Sequence, residues 1–188
     1  MKRDFLKVSD CSADEIRKLL TRAAELKSGK DASRCPLIGR SIGLLFEKSS
    51  TRTRVSFEVG IYQLGGHPVM LNAKEIQLGR GETISDTARV LSRYLRAVVI
   101  RTYGHERVAE FAAHATIPVI NGLSDLHHPC QILADLLTIQ ERKGSFKKVR
   151  VAYIGDGNNV ANSLIEAASL LGFELRIACP EGLEPSYE

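Results

Sequence analysis

Apolar positions along this chain alternate between short runs and a helical spacing of three and four. Strands are predicted at Ser41–Phe46, His67–Leu71, Ala97–Arg101, Ile117–Asn121, Val149–Ile154 and Glu174–Cys179. Helices are predicted between them. The first follows Ser12-Ala13-Asp14-Glu15, a hydroxyl with an acid three residues on, and carries the stripe Ile16, Leu19, Leu20, Ala23, Ala24 and Leu26. Others span Arg52–Leu64, Thr83 to about Tyr94, Glu106–His114, Pro129 to about Lys143, and Val160–Leu171. Gly65-Gly66 supplies a left-handed stop for one helix, and Pro129 a favoured first residue for another. Asn72–Glu82 reads as a polar loop. Strands alternating with helices of about ten residues predict an α/β fold, a parallel sheet sandwiched by helices. In such sheets ligands bind beyond the C-terminal ends of the strands. The polar stretch Arg142–Lys148 marks a passage into a second sheet.

Composition narrows the field. The 188 residues are 44% apolar, enough for a proper core. The 26 basic residues are scattered among 22 acidic ones, without a basic block, and there is no Trp, which argues against nucleic-acid binding. No apolar run approaches the roughly 20 residues of a membrane helix. Met1–Lys7 lacks the apolar core of a secretion signal, and Asp4 is unlike a transit peptide. Cysteines 11, 35, 130 and 179 form no C-x-x-C pair, so reduced thiols in a cytoplasmic compartment are expected, with no disulfide or zinc framework.

The richest chemistry lies in Phe46-Glu47-Lys48-Ser49-Ser50-Thr51-Arg52-Thr53-Arg54, at a predicted strand-to-helix turn. Unpaired N–H groups and the helix dipole favour an anion there. Arg52 and Arg54 oppose that dipole in the first turn, and so suit a sequence that holds a phosphate or carboxylate. The bland reading is a hydroxyl-capped helix with arginines in solvent.

Arg101 ends a predicted buried strand; alone, it is equally a surface ion pair. His128 precedes Pro129 and is biased out of the helix, with Gln131 on the first turn beyond. Such a histidine polarises a carbonyl or stabilises an oxyanion; it is equally a capping residue. The adjacent His127 adds no third ligand at metal-binding spacing. Gly155-Asp156-Gly157-Asn158-Asn159-Val160 opens like a dinucleotide turn, but Val160 takes the third glycine's place and no acid ends the next strand. A tight turn, or a polar contact through Asn158 or Asn159, remains. Cys130 reads as a packing thiol rather than a nucleophile.

With these residues placed, the chain resembles the aspartate/ornithine carbamoyltransferase family, through Ser50-Thr51-Arg52-Thr53-Arg54, Arg101 and His128-Pro129-Cys130-Gln131. Phe46-Glu47-Lys48, Gln77-Leu78-Gly79-Arg80-Gly81-Glu82 and Gly155–Asn159 favour its ornithine branch. The resemblance implies a carbamoyl-phosphate-binding domain over residues 1–143, with a linking helix at about 129–143. Residues 144–188 would begin a Rossmann-like ornithine-binding domain. It implies Ser50, Thr51, Arg52 and Thr53 on the phosphate, Arg101 across phosphate and carbonyl, and His128 and Gln131 on the carbamoyl group. Arg101 and His128 would be catalytic, Gln77 would come from a neighbouring subunit, and Asn159 would contact ornithine.

The implied reaction is carbamoyl transfer from carbamoyl phosphate to the δ-amine of L-ornithine, giving L-citrulline in arginine biosynthesis. It requires neither cofactor nor metal, in a cytoplasmic homotrimer or a multiple of trimers. The family pattern continues beyond Glu188 into an Asp…Ser-Met-Gly loop and a His-Cys-Leu-Pro segment that do not occur here. The chain is therefore expected to be truncated and inactive alone, with apolar faces on Val149–Ile154, Leu164–Leu171 and Leu175–Ile177 lacking partners. The alternatives are a fragment that only binds carbamoyl phosphate, or a sibling enzyme with putrescine, N-acetylornithine or aspartate as acceptor.

Overall fold

A computed structural model describes residues 2–30, 35–72 and 81–186. The chain divides into two compact units, Met1–Leu6 with Ala32–Ser124, and Lys7–Asp31 with Asp125–Glu188. The first and fifth helices of the chain fall in the second of these compact units.

The first unit holds a four-stranded parallel sheet: β1 (Ser41–Phe46), β2 (His67–Asn72), β3 (Ala97–Arg101) and β4 (Val119–Leu123), in the order β2-β1-β3-β4. Helices α2 (Thr51–Gln63), α3 (Ile84–Tyr94) and α4 (His105–His114) connect them. Pleating splits the strand side chains between two cores. Leu45, Val98 and Ile100 pack with Val108 and Phe111 of α4, while Ile42, Leu44, Phe46 and Val99 pack with Ile61 of α2. Gly43 is required by close approach, because a Cβ there would lie 2.6 Å from Leu95 Cδ1.

β4 lies two residues later than the expected Ile117–Asn121. Pro118 has no N–H to donate to the ladder, and Thr102 N donates to Leu123 O at 3.0 Å, which carries pairing past Asn121. The N-terminal segment then pairs with β4. Phe5 N donates to Val119 O at 2.8 Å, and Asn121 N donates to Phe5 O at 2.9 Å. A single bridging residue has no periodicity to reveal it in sequence.

The second unit contains a 3-10 turn (Val8–Asp10), α1 (Ala13–Lys27), α5 (Pro129–Lys143), β5 (Arg150–Ile154), α6 (Asn159–Leu171) and β6 (Glu174–Ala178), with β5 and β6 parallel. Ser12 caps α1 through Glu15 N, and Glu15 returns a bond to Ser12 N, as the sequence predicts. Glu166 of α6 holds the 3-10 turn, accepting from Val8 N at 2.8 Å and Ser9 Oγ at 3.0 Å.

The expectation that Leu164–Leu171 lacks partners is corrected. Leu164, Ala167 and Leu171 are buried, because α6 packs on α5 and on the 3-10 turn within the same unit. Residues of β5 and β6 instead alternate between exposed and half-buried, and Ile154 is 85% exposed.

Candidate anion site

β1 delivers the chain to the turn Glu47–Ser50, and α2 begins at Thr51. Ser50 is the N-cap in an extended conformation, and its Oγ accepts from Thr53 N at 3.3 Å. The Ser50 hydroxyl then donates to Thr53 Oγ1 at 3.0 Å. Arg101, at the end of neighbouring β3, donates from Nη1 to the same Thr53 Oγ1 at 3.4 Å and from Nε to Lys48 O at 3.2 Å. Both lone pairs of Thr53 Oγ1 are thereby engaged, so its own proton is directed to a further acceptor. No acid stands in the first turn of α2.

Burial pushes the Arg101 guanidinium below its ordinary value without a compensating carboxylate. A guanidinium keeps its charge regardless. A desolvated cation beside a helix N-terminus is the electrostatic complement of an anion. An open cleft of about 660 Å³ adjoins the turn, lined among others by Glu47, Ser50, Thr51, Arg54, Glu58 and Tyr103.

Two features of the turn go beyond the sequence reading. Arg54 lines the cleft, and its Nε also pairs with Glu58 one turn along α2 at 3.3 Å. That pair follows from the i,i+4 spacing. Glu47 is more than a flanking residue. Its backbone N donates to Arg101 O at 2.8 Å. Its half-buried carboxylate accepts from Thr102 Oγ1, from Arg107 Nε at 3.2 Å and from Arg107 Nη2 at 2.5 Å. Arg107 lies on α4, far away in sequence, so no local pattern announces it. Glu47 in turn pushes the Arg107 guanidinium above its ordinary value. Lys48 sits over the Tyr103 ring, 5.1 Å from its centroid.

The other candidates lie in the second unit. His128 precedes α5 as its N-cap, and its backbone N donates to Ser163 Oγ at 2.9 Å. Gln131 Nε2 donates to Asp135 Oδ1 at 2.9 Å. Burial raises the Asp135 carboxyl above its ordinary value, and the Gln131 bond partly offsets this. Asn159 is the first residue of α6, behind the N-cap Asn158, whose Oδ1 accepts from Val160 N at 2.9 Å.

The Gly155–Asn158 turn is covered by its own chain. Gly157 N donates to Leu183 O at 2.7 Å, and a Cβ on Gly157 would lie 2.1 Å from Pro185 N. Cys130 keeps part of its surface exposed, yet burial pushes its thiol up to about 12. That is the thiol of a packing residue. Among the described residues, no three His, Cys, Asp or Glu side chains are grouped to hold a metal ion.

The structure thus joins Ser50, Thr53 and Arg101 by hydrogen bonds in the first unit, with Thr51 and Arg52 in the same first turn of α2. His128, Gln131 and Asn159 belong to the second unit. Gln77 lies outside the described residues.

This combination of parallel sheet, capped helix start and desolvated guanidinium defines an α/β protein with a candidate oxyanion site at a strand–helix turn. Residues 3–141 match the family model for the aspartate/ornithine carbamoyltransferase carbamoyl-P binding domain, and residues 147–188 that for the Asp/Orn binding domain. The chain belongs to the aspartate/ornithine carbamoyltransferase family.

It is 58% identical over 188 residues to an ornithine carbamoyltransferase of Halorhodospira halophila, covering 99% of this chain and 63% of that protein. It is 54% identical to the ornithine carbamoyltransferase of Syntrophus aciditrophicus, covering 98% of this chain and 62% of the relative. The solved ornithine carbamoyltransferase from Pyrococcus furiosus aligns with a TM-score of 0.94 at 52% identity, over 98% of this chain and 59% of that one. The chain thus spans about three fifths of the relatives' length.

Proposed function

We propose that this chain provides the carbamoyl-phosphate site and the first part of the ornithine site of an ornithine carbamoyltransferase. The observation that carries the reading is the half-buried Arg101 guanidinium bonded to Thr53 Oγ1 beside the N-terminus of α2. Residues 1–143 form the carbamoyl-phosphate domain, with the helix at 129–143 leading into the ornithine domain from residue 144. Ser50, Thr51, Arg52 and Thr53 bind the phosphate, and Arg101 reaches both phosphate and carbonyl. His128 and Gln131 hold the carbamoyl group, Asn159 contacts the amino-acid part of ornithine, and a neighbouring subunit supplies Gln77. These last roles rest on motif match alone.

The neutral δ-amine of L-ornithine attacks the carbamoyl carbon and forms the C–N bond. The C–O bond to phosphate breaks, and the amine proton leaves with the phosphate. Negative charge grows on the carbonyl oxygen and on the departing phosphate. Fixed guanidinium, hydroxyl and imidazole donors stabilise both without reorganising. The products are L-citrulline and phosphate, within arginine biosynthesis in the cytoplasm, and the assembly is a trimer or a multiple of trimers. Among the described residues, no helix is long and apolar enough to cross a membrane.

Because the chain covers 62% of a relative such as that from Syntrophus aciditrophicus, a second reading stands. In it, the 188 residues bind carbamoyl phosphate and turn nothing over, or serve a sibling acceptor. Citrulline assays decide between them. Citrulline from carbamoyl phosphate and ornithine excludes the binding-only reading. Phosphate-competitive binding of carbamoyl phosphate without citrulline excludes autonomous catalysis. Absence of any carbamoyl phosphate binding overturns both.

A further inference from the structure

Glu47 poses an electrostatic problem. Its carboxylate is only 13% exposed and stands in the turn that presents Ser50, Thr51 and Thr53. An unneutralised carboxylate there would repel a phosphate and compete for Arg101. The structure supplies the remedy: Arg107 grips both carboxylate oxygens, and Thr102 donates a third bond. The Glu47 backbone meanwhile donates to Arg101 O at 2.8 Å, and Arg101 Nε donates to Lys48 O at 3.2 Å. Backbone bonds thus join the end of β1 to the end of β3, and the Glu47 side chain reaches Thr102 beyond β3 and Arg107 on α4.

We propose that Glu47 and Arg107 form a charge-balanced clamp whose role toward a ligand is to hide the Glu47 carboxylate from a bound phosphate. Neither needs to touch the ligand; each acts on it through the charge it leaves at the turn. The proposal rests on the reading of the β1–α2 turn as a phosphate site. A half-buried ion pair adds little to stability compared with an apolar pair of equal size. What it does offer is bidentate geometry: a planar fork on a carboxylate fixes direction as well as distance. Glu106 and Glu110 also act on Arg107, but less than Glu47 does. Substitution of Glu47 therefore isolates the pair.

The test is calorimetric titration with inorganic phosphate, with circular dichroism confirming the fold of each variant. Arg107→Met exposes the uncompensated carboxylate and is expected to weaken phosphate binding roughly tenfold or more, the order of a unit like charge at an effective dielectric of about 20. Glu47→Gln removes the carboxylate and leaves Arg107 facing Glu106 and Glu110, and should bind as tightly as the unaltered protein, or tighter. The double variant Glu47→Gln/Arg107→Met should return to within about threefold of the unaltered protein, because the charge is gone. A merely structural clamp predicts the opposite order, with the double variant at least as weak as Arg107→Met.

Unchanged affinity in Arg107→Met, or no recovery in the double variant, overturns the clamp. If Arg107→Met does not fold, Glu47→Gln decides, and clearly weaker binding there overturns the proposal. If the unaltered protein fails to bind phosphate, the site reading falls and the clamp with it. Normal binding with an unresponsive Arg107→Met sinks the clamp alone.

Discussion

Replacing Arg101 with lysine keeps the charge and removes the fork. In the structure the guanidinium is fixed from two directions, by Nε to Lys48 O at 3.2 Å and by Nη1 to Thr53 Oγ1 at 3.4 Å. Five N–H donors in one plane allow both anchors while others address a ligand. A lysine ammonium has three donors on one atom and cannot hold both anchors and a phosphate in that geometry. The expected loss is one charge-assisted hydrogen bond to the anion, about 1.5–3 kcal/mol. That corresponds to a fall in affinity of roughly 10- to 100-fold. Calorimetric titration with inorganic phosphate and with carbamoyl phosphate measures it, at fixed ionic strength because salt screens exposed charges. Affinity within twofold of the unaltered protein would refute the reasoning, since charge alone would then suffice and the observed anchoring would be irrelevant to binding.

Ser50→Ala removes the cap of α2 and one bond to Thr53 Oγ1, and should lower stability by about 1 kcal/mol together with phosphate affinity, read from urea melts and titration. Phe111→Ala empties a site with 1% exposure in the first unit's core and should cost about 3–5 kcal/mol, read from the urea midpoint. With its thiol pushed up to about 12, native Cys130 should resist iodoacetamide at pH 8 and react only after unfolding, as mapped by mass spectrometry. Gly157→Ala drives a Cβ to 2.1 Å from Pro185 N, so it should dislodge the chain at 183–186 and speed hydrogen exchange at Gly157. Unchanged exchange would show that the segment yields without cost.

Local signals carried much of the fold. The Ser12–Glu15 capping box and Pro129 fix helix starts through atoms a few residues apart, and they sit where the pattern puts them. β4 slipped by two residues because apolar character begins at Ile117, whereas pairing depends on which N–H groups have partners. The Phe5 bridge is invisible to periodicity, being a single residue on a distant strand.

The candidate site divides in the same way. Ser50 and Thr53 were legible because a cap is a three-residue event. The Arg54–Glu58 pair is equally local, since i,i+4 spacing on one helix brings the two side chains together. Arg107 could not be found at all, since its meeting with Glu47 exists only once β1, β3 and α4 are packed.

Those two kinds of contact have different consequences for an anion. The field of a helix N-terminus fades within its first turn, so α2 can favour a phosphate only if the phosphate sits close to Ser50–Thr53. The local cap sets the shape of that turn but not its place relative to Arg101. Its place depends on bonds to the end of β3, namely Glu47 N to Arg101 O, Arg101 Nε to Lys48 O and Arg101 Nη1 to Thr53 Oγ1. A small displacement of the turn would lengthen the last of these, already at 3.4 Å, beyond hydrogen-bonding range. It would also separate the helix field from the guanidinium charge. The geometry of this corner therefore depends on the Glu47 backbone and on Arg101's own anchors, whereas the Glu47–Arg107 pair sets the charge that a phosphate meets there.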